Sequence, residues 1–187
     1  MLIALLIVGA LIALLGVYAV VVYNRLVRLR VGVDERESDI DVQLKRRHDL
    51  VPNLVETVKG YASHESETFQ RVTEARAAAM DASGPADRAV AESQLTSALG
   101  GLRVVAEDYP ELKADANFRA LQDELTATEN RIQAARRQYN MQVRALNTGV
   151  EQFPSSVVAG ATGFSQREFF EIEDDSQRAV PQVSFSE

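Results

Sequence analysis

Hydrophobic side chains fill the start of the chain without interruption. Residues 1–23 contain no charged side chain, and a helix needs about 20 such residues to cross the hydrocarbon core of a bilayer. A cleaved signal peptide is the competing interpretation, but it requires a positively charged start, a shorter apolar core and a small-residue cleavage site. None of these is clear in the sequence, so the pattern predicts an uncleaved transmembrane anchor over residues 1–23.

After the anchor, hydrophobic residues recur at helical spacing. Gly32 is the only weak point between the anchor and this pattern, so we expect one helix to run through a basic and charged stalk, residues 24–38, and on to Met80. Such a rod would be on the order of 100 Å long. Pro52 predicts a kink or a local break in it. The residues whose spacings of three, four and seven define the face are Ile40, Leu44, Val51, Leu54, Val55, Val58, Phe69 and Val72.

Two further long helices and a short one are predicted. Ser83, Gly84 and Pro85 indicate a turn, after which a second helix spans about residues 85–107, and Pro110 marks the next turn. The third helix is the most regular, and a short apolar helix follows over residues 155–161. The third helix has a heptad seam of Phe118, Leu125, Ile132, Tyr139 and Leu146, interleaved with Leu121, Thr128, Ala135 and Gln142.

The polar residues of this seam bear on how the helices pack. Thr128 and Gln142 weaken a free coiled coil, and a single helix cannot bury its seam alone. We therefore expect the third helix to pack against the first two helices of the same chain. The predicted fold class is all-α: a transmembrane helix continuing into an elongated antiparallel bundle of three long helices and a short C-terminal helix, with the bundle over residues 39–163.

The last segment, residues 164–187, is an acidic tail that contains aromatic residues. Phe164, Phe169 and Phe170 are interleaved with carboxylates, and apolar groups of this kind need a surface to cover them. We take the three phenylalanines as a candidate assembly clip that docks on the bundle or on a neighbouring copy; a partly disordered end is the alternative. Residues 180–185 alternate like a strand around Pro181, and we expect disorder beyond Asp175.

Composition agrees with a helical protein and narrows the partners. Among the 187 residues aromatics make up 6%, while the residues that favour helices are abundant. The net charge of −7 disfavours nucleic-acid binding, which requires a concentrated basic surface. The chain has no cysteine, so neither disulfides nor thiolate chemistry are available, and the redox compartment stays open.

The flanks of the anchor predict its orientation. Arg25, Arg28 and Arg30 follow the anchor, Tyr18 and Tyr23 are placed for the membrane interface, and the other flank has no Lys or Arg. Because positive flanks stay inside, we expect the soluble domain in the cytoplasm. An extracytoplasmic domain is the alternative, since large domains are translocated regardless of such charges. The arginines are expected to contact anionic lipids.

The titratable residues show no catalytic pattern. Only His48 and His64 are present; they lie sixteen positions apart, and the segment after His64 has Thr68 where a zinc helix would have its second histidine. Nucleophile, nucleotide-binding and calcium-loop motifs are absent from the sequence. We therefore expect no enzyme activity, no metal and no cofactor.

Polar residues on the first and third helices have two interpretations. They form either a structural network that sets the register between helices or a recognition patch for a partner. They are Lys45, Arg46, Arg47, Asp49 and Asn53 on the first helix, and Glu124, Glu129, Arg136, Arg137 and Asn140 on the third.

The order of several segments resembles the LemA family over essentially the whole chain. Tyr23 and Asn24 follow the anchor, QLKRRHDLVPNLVETVKGYASHE occupies residues 43–65, and RVTEAR occupies residues 71–76. NFRALQDELTATENRIQAARRQYN follows at residues 117–140, and the final elements are Asn147, FP at residues 153–154, GF at 163–164 and FFE at 169–171.

The resemblance implies a helical bundle anchored in the bacterial inner membrane, with the N-terminus outside and the domain in the cytoplasm. It implies no established activity. Members are often encoded beside a membrane metalloprotease or other envelope proteins, and one branch belongs to magnetosome membranes. We expect a non-enzymatic scaffold that self-assembles into a homo-oligomer and contributes to membrane organisation. The alternative is a sensor or adaptor that regulates a neighbouring membrane protease.

Overall fold

The computed structural model describes residues 1–170, and 86% of it is helical. No strand occurs within these residues, so the predicted all-α class is confirmed. The helices are α1 (Leu2–Lys59), α2 (Ser66–Asp81), α3 (Pro85–Glu107), α4 (Pro110–Ala114), α5 (Ala116–Glu151) and α6 (Ser155–Thr162).

The first helix connects the apolar segment to the bundle without a break. At 1.5 Å per residue the 58 residues of α1 span roughly 87 Å, so the predicted continuity across residues 23–33 is confirmed. Gly32 leaves room for the side-chain amide of Gln142 on α5, which donates to the carbonyl of Leu29 at 3.2 Å. The helix also continues through Pro52 to Lys59, so the expected local break does not occur there.

The first helix is shorter than predicted, because it ends at Lys59 and not near Met80. Gly60 follows, and the amides of Tyr61 and Ala62 both bond to the carbonyl of Val58, which turns the chain before α2 begins at Ser66. The turn lets Phe69 and Val72 of α2 join Val58 in one hydrophobic core. A straight helix would have left these apolar side chains in water.

The bundle has two hydrophobic cores along its length. The distal core joins α1, α2, α3, α4 and the start of α5; its members include Val58, Val72, Leu95, Leu112 and Phe118. The proximal core lies nearer the apolar segment and joins α1, α5, α6 and the tail; its members include Leu26, Val33, Tyr139, Leu146 and Phe170.

The bundle begins closer to the apolar segment than the sequence predicts. Leu26 and Val33 are fully buried, so one face of residues 24–38 is covered by other helices and this segment does not form a bare stalk. Leu26, Val33 and Ile40 lie seven residues apart, which continues the face of α1 toward the membrane end and matches it to the heptad seam of α5. Bundle packing therefore starts at Val22 instead of residue 39.

The seam of α5 packs as predicted. Ile132, Tyr139 and Leu146 are almost completely buried and share the proximal core with α1, and Phe118 is buried in the distal core. The second helix of the prediction corresponds to α3, Pro85–Glu107. Its bounds and the turn before it match the prediction. The five-residue helix α4 between α3 and α5 was not expected.

Leu146→Ala should lower the free energy of unfolding by about 2–5 kcal/mol, because it removes a buried side chain from the α1–α5 seam and leaves a cavity. Urea unfolding followed by circular dichroism in mild detergent measures the loss. Met141→Ala on the same helix is the control, since Met141 is exposed and its truncation should change stability by less than about 0.5 kcal/mol. Equal, small effects of both variants would contradict the assignment of the seam.

Candidate functional site

A buried charged cluster lies where the two cores meet. We call it the polar junction, and its members are Arg47, His48, Glu92, Glu129 and Arg136. Arg47 is 4% exposed and Glu92 3% exposed. Because a charge inside a helical bundle loses its hydration, it is stable there only when other charges and hydrogen bonds replace the water.

Arg47 is the centre of the polar junction. Its Nη1 atom lies 3.0 Å from Oε2 of Glu92 on α3 and 3.2 Å from Oε2 of Glu129 on α5. Its Nη2 atom donates to the hydroxyl of Thr96 at 2.7 Å. One planar guanidinium therefore ties α1 to both α3 and α5, which a lysine with its single charged atom would not do as well.

His48 connects the junction to α2 as well as to α3. Nε2 of His48 lies 2.6 Å from Oε1 of Glu92, so both carboxylate oxygens of Glu92 have partners on α1. Arg76 of α2 donates from Nε to the backbone carbonyl of His48 at 2.8 Å. The junction thus fixes α1, α2, α3 and α5 against one another.

Sequence reasoning missed two members of the junction. His48 was considered only as a metal ligand, and Glu92 was not selected at all. A signal for Glu92 exists, because it lies three residues before the buried Leu95 on the inward face of α3. A carboxylate at such a position needs a cationic partner, but the sequence does not name that partner.

The other predicted network residues are distributed over the surface of the bundle. Arg46 forms an ion pair with Glu124 at 2.6 Å across α1 and α5. Lys45 and Asp49 pair with each other on the surface of α1 at 2.6 Å, and the hydrogen bond from Lys45 lowers the pKa of Asp49. Asn53 and Arg137 are exposed. The structural interpretation therefore fits Arg46, Arg47, Glu124 and Glu129.

Two asparagines on α5 hold the tail by its backbone, and we call them the tail clamp. Asn140 accepts from the amide of Phe170 at 2.8 Å and donates to its carbonyl at 3.3 Å. Asn147 makes the same pair of bonds with Arg167, each at 2.9 Å. A side-chain amide has the donor and acceptor of a peptide group, so the clamp pairs with the tail as a second strand would.

Ionic and hydroxyl contacts strengthen this docking. The hydroxyl of Tyr139 donates to the carbonyl of Glu168 at 2.9 Å. The guanidinium of Arg167 lies 3.1 Å from Asp34 and 2.8 Å from Glu37 on α1. Partial burial opposes the charge on Arg167, but these two carboxylates raise its pKa overall. The tail therefore crosses from α5 to α1.

The phenylalanines of the candidate clip dock on their own chain. Phe170 is 3% exposed; it meets Tyr139 edge to face at 6.4 Å, and the guanidinium carbon of Arg136 lies 4.5 Å from its ring centroid. Phe169 packs against the same proximal core. Arg136 is thus shared by the polar junction and the tail; burial lowers its pKa, and Glu129 and Glu92 oppose that effect.

Phe164 docks at the other end of the tail, near the apolar segment. It meets Tyr23 edge to face at 5.9 Å, and the guanidinium carbon of Arg30 lies 4.9 Å from its ring centroid. The predicted interface residues Tyr18, Arg25 and Arg28 are exposed on α1. The expected disorder beyond Asp175 and the strand-like residues 180–185 lie outside the described residues.

Metal-ligating side chains do not converge in the described part of the chain. Residues 1–170 contain no group of three or more His, Asp or Glu side chains arranged to hold an ion. His64 is exposed in the turn between α1 and α2, and His48 faces Glu92.

Comparison with known proteins finds one family model and several relatives. The family model described as LemA family matches residues 36–185. Magnetosome protein MamQ 2 of Paramagnetospirillum magneticum is 26% identical, with 80% of this chain and 64% of the relative covered. Magnetosome protein MamQ of Magnetospirillum gryphiswaldense is 23% identical over 86% of this chain and 70% of the relative.

A third relative carries the name of the family. Protein LemA of Metamycoplasma hominis is 29% identical, with 73% of this chain and 63% of the relative covered. The chain spans slightly less than two thirds of the length of the first of these magnetosome proteins.

Arg47→Met should lower the free energy of unfolding by about 3–5 kcal/mol, because it leaves Glu92 buried without its guanidinium. Arg47→Met combined with Glu92→Leu should recover most of this loss, since neither charge then has to be buried. Urea unfolding measures both. Lys45→Ala is the control, because its pair with Asp49 is exposed and should contribute less than about 1 kcal/mol. A double variant as unstable as Arg47→Met would contradict a charge-pair role.

Asn140→Ala should speed hydrogen exchange of the Phe170 amide about tenfold, because it removes the acceptor of that amide and a second bond to the same residue. Hydrogen exchange followed by mass spectrometry on peptides that end before and after Phe170 measures the change. Asn130→Ala, at an exposed position of the same helix, is the matched control. Full exchange of this amide in the unmodified protein would contradict a docked tail.

Proposed function

The chain belongs to the LemA family, and we propose that it is a non-enzymatic, membrane-anchored scaffold whose copies assemble in one bilayer and organise the membrane. The anchor is the apolar start of α1, which is long and apolar enough to cross a bilayer. The arginines after it favour a bacterial inner-membrane protein with its bundle in the cytoplasm.

The anchor and the bundle move as one body in this proposal. α1 runs from Leu2 to Lys59 without interruption, and the polar junction fixes α1 to α2, α3 and α5. A flexible linker would let each bundle reorient freely above its anchor. With a continuous helix, the anchor instead moves together with its bundle. A scaffold that arranges lipids or other proteins requires this coupling.

The tail clamp is the observation that carries the assembly part of the proposal. Within residues 1–170, the side chains of Asn140 and Asn147 bond only to backbone groups of the tail. The tail is joined to the bundle through Gly163, whose φ of +74° makes the turn. The tail of a second copy has the same backbone, so it can occupy the same groove. Exchange of an identical element is a low-cost route to oligomers.

The kinds of polar group present support a role without catalysis. The buried charges of the junction are paired with each other, and the carboxylates beside the tail are paired with Arg167. Two of the relatives are named as magnetosome proteins, and this is the support for extending a role in membrane organisation to this chain.

Tail exchange can be tested directly, because the chain has no native cysteine. Gln166 of the tail donates to Glu151 of α5, and both residues are exposed. One chain with Glu151→Cys and a second, differently tagged chain with Gln166→Cys are co-expressed and treated in membranes with a short bis-maleimide. We expect a covalent dimer that contains both tags.

Two controls define the outcome. A chain with both cysteines should cross-link internally, which shows that the pair can react, and Glu151→Cys paired with Val104→Cys on α3 should give no dimer. Internal cross-linking without any mixed dimer would contradict tail exchange. A monomeric mass by light scattering in detergent, together with that result, would favour the adaptor of a membrane protease instead.

A further inference from the structure

The turn after α5 and the helix α6 form the least charged part of the described soluble region. Residues 152–166, between Glu151 and Arg167, contain no charged side chain. Within this stretch Phe153 is 77% exposed and Val157 64% exposed. Two large apolar side chains therefore point away from the bundle in a segment without charges to keep them in water.

Contacts with α1 place this segment at the end of the anchor. Ala159 of α6 is buried in the same core cluster as Val22 and Leu26 of α1, and Val150 and Val158 pack against that cluster. Phe164, just after α6, meets Tyr23. Val22 and Tyr23 are the last residues of the apolar run of α1, so α6 lies where that run ends.

The direction of α5 brings Phe153 still closer to the anchor. α5 runs antiparallel to α1, and a Cβ atom on Gly149 would lie 3.1 Å from Leu26. Residues 150–153 therefore continue from the level of Leu26 toward the apolar run before the chain turns at Pro154. Phe153 lies at this turn, and α6 then leads back to Tyr23 and Arg30 at Phe164.

We propose that Phe153 and the outer face of α6 insert into the boundary between headgroups and acyl chains of the bilayer that α1 crosses. Aromatic side chains favour this depth, and short apolar segments bind there without spanning the membrane. The uncovered face is continuous with the surface of the anchor, and the segment has no charge that would have to be desolvated. The proposal rests on the proposed membrane anchor.

Insertion of Phe153 and α6 gives each copy a second contact with the bilayer, beside the anchor, and this contact restricts how the anchor moves. A single spanning helix can rotate about its own axis and tilt. Contact through Phe153 and Val157, to one side of α1, limits the tilt of the bundle and sets the side toward which it leans. Each copy then presents the tail and its groove at a set inclination to the membrane surface.

Tryptophan fluorescence tests the proposal on the full chain, because the protein has no native tryptophan. Phe153→Trp and, separately, Val157→Trp are reconstituted into vesicles of phosphatidylethanolamine and phosphatidylglycerol, with and without phosphatidylcholine brominated near the top of its acyl chains. Val20→Trp in the anchor is the positive control. Met141→Trp is the matched negative control, since Met141 is 64% exposed on α5.

Brominated lipid should remove about half of the fluorescence at positions 153 and 157, with emission shifted to the blue, as expected for a side chain at the membrane interface. Position 20 should also be quenched, and position 141 should not. Emission like that of position 141 at both test positions, with position 20 quenched, would overturn the proposal and leave the anchor intact.

Two further outcomes also decide against the proposal. A blue shift at position 153 without quenching by lipid would mean that protein covers this face, most simply a second copy of the chain. Absence of quenching at position 20 would remove the membrane anchor itself, and with it both the proposed function and this inference.

Discussion

Burial of Arg47 is the constraint on which the arrangement of the helices depends. Leu26, Val33, Ile40, Arg47 and Leu54 follow one another at intervals of seven on α1, so the guanidinium occupies a core position of an otherwise apolar repeat. Removing such a charge from water costs several kcal/mol, and breaking its pair costs about 3–5 kcal/mol. The apolar members of the repeat would tolerate a shift of one heptad between α1 and α5; the guanidinium would not, because Glu129 on α5 would no longer reach it. We therefore interpret the junction as the device that sets the register of the bundle.

This register also determines whether the tail can dock. Arg136 borders the junction through Glu129 and Glu92 and lies over the ring of Phe170, so the correct placement of α5 against α1 creates the site for the ring. Arg167 then needs Asp34 and Glu37 on α1 at the same height as Asn147 on α5. A slip of one helix would separate these partners. Docking of the tail is thus a consequence of the register, and it adds contacts between α1 and α5 near the membrane end.

Local signals explain what the sequence could predict. The apolar first segment, the turn before Pro85 and the seam through Tyr139 and Leu146 each follow from residues close together in the chain. The structure has a helix over the first, a turn at the second and buried side chains along the third. The end of α1 was missed because Phe69 and Val72 keep the helical spacing across Gly60, although they face the same core from a second helix. The pairing of Glu92 with Arg47 and His48, more than forty residues away, has no local signal. The three phenylalanines predicted that the tail docks, but its bonds to Asn140 and Asn147 use backbone groups, which every sequence contains.

The balance between a tail docked on its own bundle and a tail docked on a neighbour is set by concentration. Both states make the same contacts, so neither gains an interaction that the other lacks. The short connection through Gly163 favours docking of the tail on its own bundle. It holds the tail near its groove at an effective concentration that is in the millimolar range for a short linker. A neighbour competes only when copies reach a comparable local density. The proposed anchor would confine every copy to one surface, and a bundle whose tilt is limited would hold its groove at a constant inclination to that surface. Assembly by tail exchange would therefore respond to the density of copies in the bilayer, and the same chain would be monomeric when sparse and joined when crowded.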